Sequence, residues 1–153
     1  MFFTRKKIAI ILGLLIAVSA AVLWIYRQPA PEGIPILEYH MVDEQEHPDA
    51  REYNVPPADF SAQLDELQRQ GYTTISLRDF LRAKKGLQQL PEKPIILTFD
   101  DGYENNYTTL LPMLEERGMK ATVFMVTNDI GQPGYLTWEE PRDTQQRGIA
   151  MRS

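Results

Sequence analysis

The chain has 153 residues, sets 21 Asp and Glu against 16 Lys and Arg for a formal charge of −5, and contains no cysteine. The acidic balance argues against nucleic acid as a partner, because phosphate binding needs a basic face. Without cysteine there are no disulfides and no thiolate ligands, so any metal must be held by Asp, Glu or His.

Arg5-Lys6-Lys7 precedes an uncharged run from Ile8 to Ile25, about 18 residues, the length at which an apolar helix spans the hydrocarbon core of a bilayer. Trp24 and Tyr26 fall at the far edge of the run, where amphipathic rings favour the membrane interface. The basic cluster predicts that residues 1–7 stay in the cytoplasm, that 8–26 form a single-pass signal anchor, and that the remainder lies outside the cytoplasmic membrane. Ser19-Ala20-Ala21 also resembles a signal-peptide cleavage site, but the apolar run continues past it through Ile25, which favours a retained anchor. Residues 27–33, with two prolines, read as a short stalk, and what remains suffices for one domain over 34–153.

Pro35 to His40 reads as a first strand, with Glu38 and His40 on one face. His40 stands at its carboxyl end, where α/β folds place their chemistry, and is a candidate to line a site. Asp43 to Asp49 is acidic and contains Pro48, so it reads as a solvated loop with His47 as a surface residue. Phe60, Leu64 and Leu67 then recur at helical spacing and Gly71 stops the helix. Tyr72 to Leu77 suits a second strand, and Ser76 with Asp79 forms a capping box for a helix that Gly86 closes.

Pro94 to Phe99 is a short apolar strand of the kind buried on both faces of a parallel sheet, and it ends in Asp100-Asp101-Gly102. Neighbouring side chains on a strand point to opposite faces, so the two carboxylates can serve one site only where the strand gives way to a turn, which Gly102 permits. Two adjacent like charges call for a cation or a shared proton between them. Next comes a helix expected to start near Thr109, with Pro112 in its first turn, carrying Leu110, Leu111 and Leu114 to Gly118. Ala121 to Val126 reads as a fourth strand, and Thr137 with Glu140 as a capping box for a last helix that Pro141 interrupts just past its first turn. Ile149-Ala150-Met151 starts a fifth strand. Strands alternating with helices predict an α/β fold with a parallel sheet and right-handed crossovers.

Thr98-Phe99-Asp100-Asp101-Gly102, with Tyr39-His40 before it and Ala121-Thr122-Val123-Phe124 after it, resembles the polysaccharide deacetylases, the NodB-homology carbohydrate esterases. The likeness runs from about Ile34 onward and is greatest to the branch acting on poly-N-acetylglucosamine, in which tyrosine follows Asp-Asp-Gly as Tyr103 does here. The resemblance implies a distorted (β/α) barrel of which this chain holds the first half. It also implies an N-acetylated polysaccharide as substrate and a divalent metal as cofactor, zinc first, with cobalt or nickel as alternatives. It assigns Asp100 as general base and Asp101 as metal ligand, with His40, Gly102 and Tyr103 lining the site.

The family completes its metal site with a His-x-x-x-His segment, whereas the two histidines here are His40 and His47. The expectation is therefore little or no activity from these 153 residues alone, and an open sheet edge that a protein partner would cover. The competing expectation is a non-catalytic module that binds glycan or docks a partner.

Overall fold

The computed structural model describes residues 5–26, 33–45 and 51–153. Most of the stalk, the acidic loop from 46 to 50 and His47 lie outside the described residues. The chain divides into two compact units, Met1–Gly33 and Ile34–Ser153.

The first unit contains helix α1 (Arg5–Tyr26), 22 residues long. Its side chains are described from Ile10 to Ala20, and there Ile10, Leu12 and Ile16 are exposed. Among the described residues, no helix is long and apolar enough to cross a membrane.

The second unit is an α/β fold on a parallel sheet. Its central strand is β5 (Pro94–Phe99), flanked by β1 (Ile36–Tyr39) on one side and followed outward on the other by β6 (Thr122–Phe124) and β7 (Ala150–Arg152). β4 (Thr73–Thr74) pairs only with the first two residues of β5, so β1 lies directly beside β5 along Ile36–Tyr39. From Ile95 to Phe99 every residue of β5 is buried, as the unbroken apolar run required.

Helix α2 (Pro57–Arg69) buries Phe60 and Leu64 against the sheet, with Leu67 packed at the margin. Phe60 meets both Tyr39 and Phe99 edge-on, at 5.2 and 5.9 Å, while Tyr39 stacks on Phe99 at 5.2 Å. Those three rings lock the end of β1 to the end of β5, which is where the two aspartates emerge. Ser76 and Asp79 make the expected capping box, opening α3 (Leu77–Lys84).

Two expectations need correction. The helix after Gly102 begins earlier than Thr109, with a π-helical turn over Asn106–Leu110 that leads into α4 (Leu111–Glu115). Pro112 has no N–H for the carbonyl four residues back, and the Leu111 N–H instead reaches five back to Asn106 O, widening the turn. Thr137 does not cap the last helix: α5 (Glu140–Gln146) follows Glu139, without a side-chain cap bond. Pro141 falls in its first turn, where a residue lacking an N–H costs nothing, and Glu140 only receives the Thr137 N–H at 2.7 Å. On either side of the acidic loop, β2 (Met41–Val42) pairs in parallel with β3 (Asn54–Val55). Asn54 enables that pairing: its amide accepts from Asp43 N and donates to Asp43 O.

β1 and β7 are the outer strands of the main sheet path, and Ile36, Phe124 and Val126 are exposed near them.

Candidate functional site

The aspartate pair sits at the carboxyl end of β5. Asp100 still belongs to the ladder, its N–H donating to Tyr39 O at 2.9 Å, so it is carried alongside His40 on the neighbouring strand. The chain then reverses within three residues, because Gly102 N–H donates back to Asp100 O at 2.9 Å. Asp101, the central residue, is held at φ +70°, the one non-glycine at positive φ among the described residues. A side chain in that region costs about 1–3 kcal/mol and persists only where the surroundings impose it. The Asp101 carbonyl accepts from Val126 N at 3.3 Å, and Gly102, at φ +76°, passes so close to Met125 that a Cβ there would lie 3.1 Å from Met125 Cγ. The strand thus gives way to a turn at the aspartate pair, as the sequence required if both carboxylates are to serve one site.

Asp100 joins Glu38 and His40: one ligand atom from each lies within 4.8 Å of the other two. Burial, and after it the Glu38 carboxylate, push the Asp100 carboxyl above its ordinary range, while His40 pulls it down and Asp101 adds to the rise. His40 stacks obliquely on Tyr53 at 4.9 Å, and its carbonyl accepts the buried Asn106 amide at 2.9 Å. Asp101 stands outside this trio and faces the Tyr103 hydroxyl instead. Burial first, and then the Asp101 carboxylate and the Tyr135 hydroxyl, raise the Tyr103 phenol above its usual value.

Two carboxylates and an imidazole within mutual reach are a donor set that suits a divalent transition ion. The site residues named from sequence therefore collect around one turn. Asp100 and His40 come together, and Asp101, Gly102 and Tyr103 form the turn beside them. Glu38 and Asn106 were missed as site residues. Glu38 had been placed on the His40 face by strand alternation, but only the β1–β5 pairing shows that Asp100 shares it. Asn106 read as an ordinary polar residue near a helix start, and no local signal marks the side chain that ties His40 to the π-helical turn.

Residues 87–153 match the family model described as polysaccharide deacetylase. YxkH of Bacillus subtilis (strain 168), whose name makes it a candidate polysaccharide deacetylase, is 34% identical over 130 residues, covering 85% of this chain and 44% of that protein. The poly-beta-1,6-N-acetyl-D-glucosamine N-deacetylase of Escherichia coli (strain K12) is 37% identical over 89 residues, 58% of this chain and 13% of that protein. Among solved structures, the Streptococcus pyogenes deacetylase PplD superposes with a TM-score of 0.69 at 28% identity, covering 80% of this chain and 56% of PplD. The chain spans about half the length of YxkH and of PplD, and far less of the Escherichia coli protein. With the α/β fold, these matches mean that the chain belongs to the polysaccharide deacetylase family.

Proposed function

We propose that residues 34–153 are the base-bearing part of a metal-dependent deacetylase that removes acetyl groups from an N-acetylglucosamine polymer outside the cytoplasmic membrane. The observation that carries the reading is the strained turn at the end of β5, which keeps Asp100 beside His40 and Glu38 and sets the neighbouring Asp101 against the Tyr103 hydroxyl. Backbone strain of this kind needs a use, and separating two adjacent carboxylates into two roles supplies one.

Asp101 would hold the ion, with the remaining donors drawn from around the trio or from outside these residues. When bound, a divalent ion supplies Lewis-acid polarisation of the acetamide carbonyl and a lowered pKa for water. Asp100 takes the proton from the attacking water, and its backbone hydrogen bonds, the N–H donating to Tyr39 O and the carbonyl accepting from Gly102 N–H, limit its movement while it does so. Zinc is the first choice of metal, since carboxylate and imidazole donors suit it, and cobalt or nickel would also be accepted.

Residues 1–153 alone are read as nearly inactive, because His40 and His47 do not form the His-x-x-x-His pair that the resemblance implies for the metal site. The uncharged run from Ile8 to Ile25 is read as a membrane anchor from its sequence, although the described part of the helix is not by itself long and apolar enough to cross a bilayer. Exposed isoleucine and leucine side chains around it, preceded by Arg5-Lys6-Lys7, support that reading.

The test is acetate release from β-1,6-linked N-acetylglucosamine oligomers by a chimera joining residues 1–153 to the rest of YxkH. Metal-dependent release that disappears in Asp100→Asn and Asp101→Asn is expected. A folded chimera that releases acetate equally well after chelation, or with both aspartates replaced, would sink the proposal.

A further inference from the structure

Of the three groups that β1 and β5 bring together, the chemistry above gives a step to Asp100 alone and leaves Glu38 and His40 without one. Strand register sets their geometry. Glu38 lies opposite Thr98 and Tyr39 opposite Phe99, so the next rung places His40 beside Asp100, and alternation returns Glu38 to the same face. The Asp100 N–H on Tyr39 O at 2.9 Å fixes that rung from one strand, and the buried Asn106 amide on the His40 carbonyl at 2.9 Å fixes it from the other. The His40 ring is steadied against Tyr53, with centroids 4.9 Å apart.

The three side chains are also unpaired among the described residues. No hydrogen bond or ion pair from one of those residues reaches the Glu38 or Asp100 carboxylate or a ring nitrogen of His40. One ligand atom from each lies within 4.8 Å of the other two, against roughly 3.3 Å between donors that share an ion at bonds of about 2 Å. Glu38 is exposed, so its side chain can rotate toward the other two and close that gap. Two carboxylates and an imidazole then make a three-ligand set of the kind divalent transition ions take.

We propose that Glu38, His40 and Asp100 form a second divalent-cation site, separate from the ion on Asp101, and that filling it switches the enzyme off. Once Asp100 ligates an ion, it cannot accept a proton from water. The proposal rests on the deacetylase reading and adds a regulation to it: activity rises with metal until the Asp101 ion is in place, then falls as metal increases further. The order follows from charge, since the second ion enters beside the first and is repelled by it.

The experiment titrates residues 1–153 in detergent with cobalt(II) alone, following its visible absorption and its competition with a chromophoric chelator. One ion per chain is expected. Glu38→Gln and Asp100→Asn should each weaken it about tenfold or more, whereas Asp101→Asn should weaken it by no more than about threefold. Glu38→Gln keeps the side-chain shape at an exposed position, and asparagine tolerates the positive φ of Asp101, so these variants keep the fold. Absence of cobalt binding, or binding lost in Asp101→Asn but kept in Glu38→Gln, overturns the second site. In the YxkH chimera, acetate release should peak and then fall about fivefold or more in excess cobalt, and the Glu38→Gln chimera, measured against its own peak, should fall less. Release that stays at its plateau in excess cobalt overturns the inhibition. A chimera that releases no acetate at any cobalt level overturns the catalytic reading instead, and the titration of residues 1–153 then decides the cation site alone.

Discussion

Replacing Gly102 with alanine perturbs the turn on which both aspartates depend, and its cost can be worked from two separate contributions. The backbone contribution comes from φ +76°, which an alanine adopts at a cost of about 1–2 kcal/mol. The steric contribution comes from Met125: the new Cβ would lie 3.1 Å from Cγ and 3.3 Å from both Cβ and Cα. The Cγ can rotate away, but the Cα belongs to the chain following β6 and cannot, so overpacking adds about 1–3 kcal/mol.

Gly118→Ala is the control, because its φ is +61° and a Cβ there meets nothing within 4 Å. It should cost only the backbone part, about 1 kcal/mol. Thermal unfolding at about 3–5 °C per kcal/mol should then show Gly102→Ala melting well below Gly118→Ala. Adding Met125→Ala should narrow the gap, since Cγ is removed while Cα remains, and a double-mutant cycle reads that coupling. Equal melting shifts for the two glycine variants would refute the close approach of Met125 to the turn.

Asp79→Ala should destabilise the second unit by about 2–3 kcal/mol, since its carboxylate accepts from Ser76 N, Ser76 Oγ, Gln88 Nε2 and Lys120 Nζ. Despite burial, which opposes it, the Lys120 ammonium and the bonds from Ser76 and Gln88 hold the Asp79 carboxyl well below the usual carboxylate range. The depressed folded value means its stabilisation is complete above the unfolded value of roughly 4 and fades as pH falls toward the folded one, so acid-induced unfolding of Asp79→Ala should be less steep there. Asn106→Ala should cost about 1–2 kcal/mol in urea titration and speed amide exchange at His40 and Met41, because the amide that holds the His40 carbonyl is gone. Glu38→Gln should weaken cobalt binding by the YxkH chimera about tenfold in competition with a chromophoric chelator; unchanged affinity would make Glu38 a bystander.

Local sequence was enough to determine the alternation of strands and helices, because each element carries its own period and its own stop. Phe60, Leu64 and Leu67 mark a helix face, Ser76 with Asp79 marks a helix start, and the apolar run ending at Phe99 marks a strand buried on both sides. The Asp-Asp-Gly turn was equally legible, since two neighbouring strand residues cannot face the same way without one. Proline misled the reading twice. Its missing N–H could be placed in a first turn, but whether the preceding residues stay helical depends on what they pack against, and at Asn106–Leu110 they do.

What only the tertiary structure decided is which groups meet. Glu38, His40 and Asp100 lie on two strands separated by more than fifty residues, and their meeting follows from β1 lying directly beside β5 while β4 touches only the start of β5. Strand order is set by the packing of whole faces, here the Tyr39, Phe60 and Phe99 rings, and no single segment encodes it. The left-handed backbone at Asp101 has the same origin. A lone residue would leave that conformation, and it is kept there by the Asp100–Gly102 hydrogen bond and by the Val126 N–H held on the neighbouring chain.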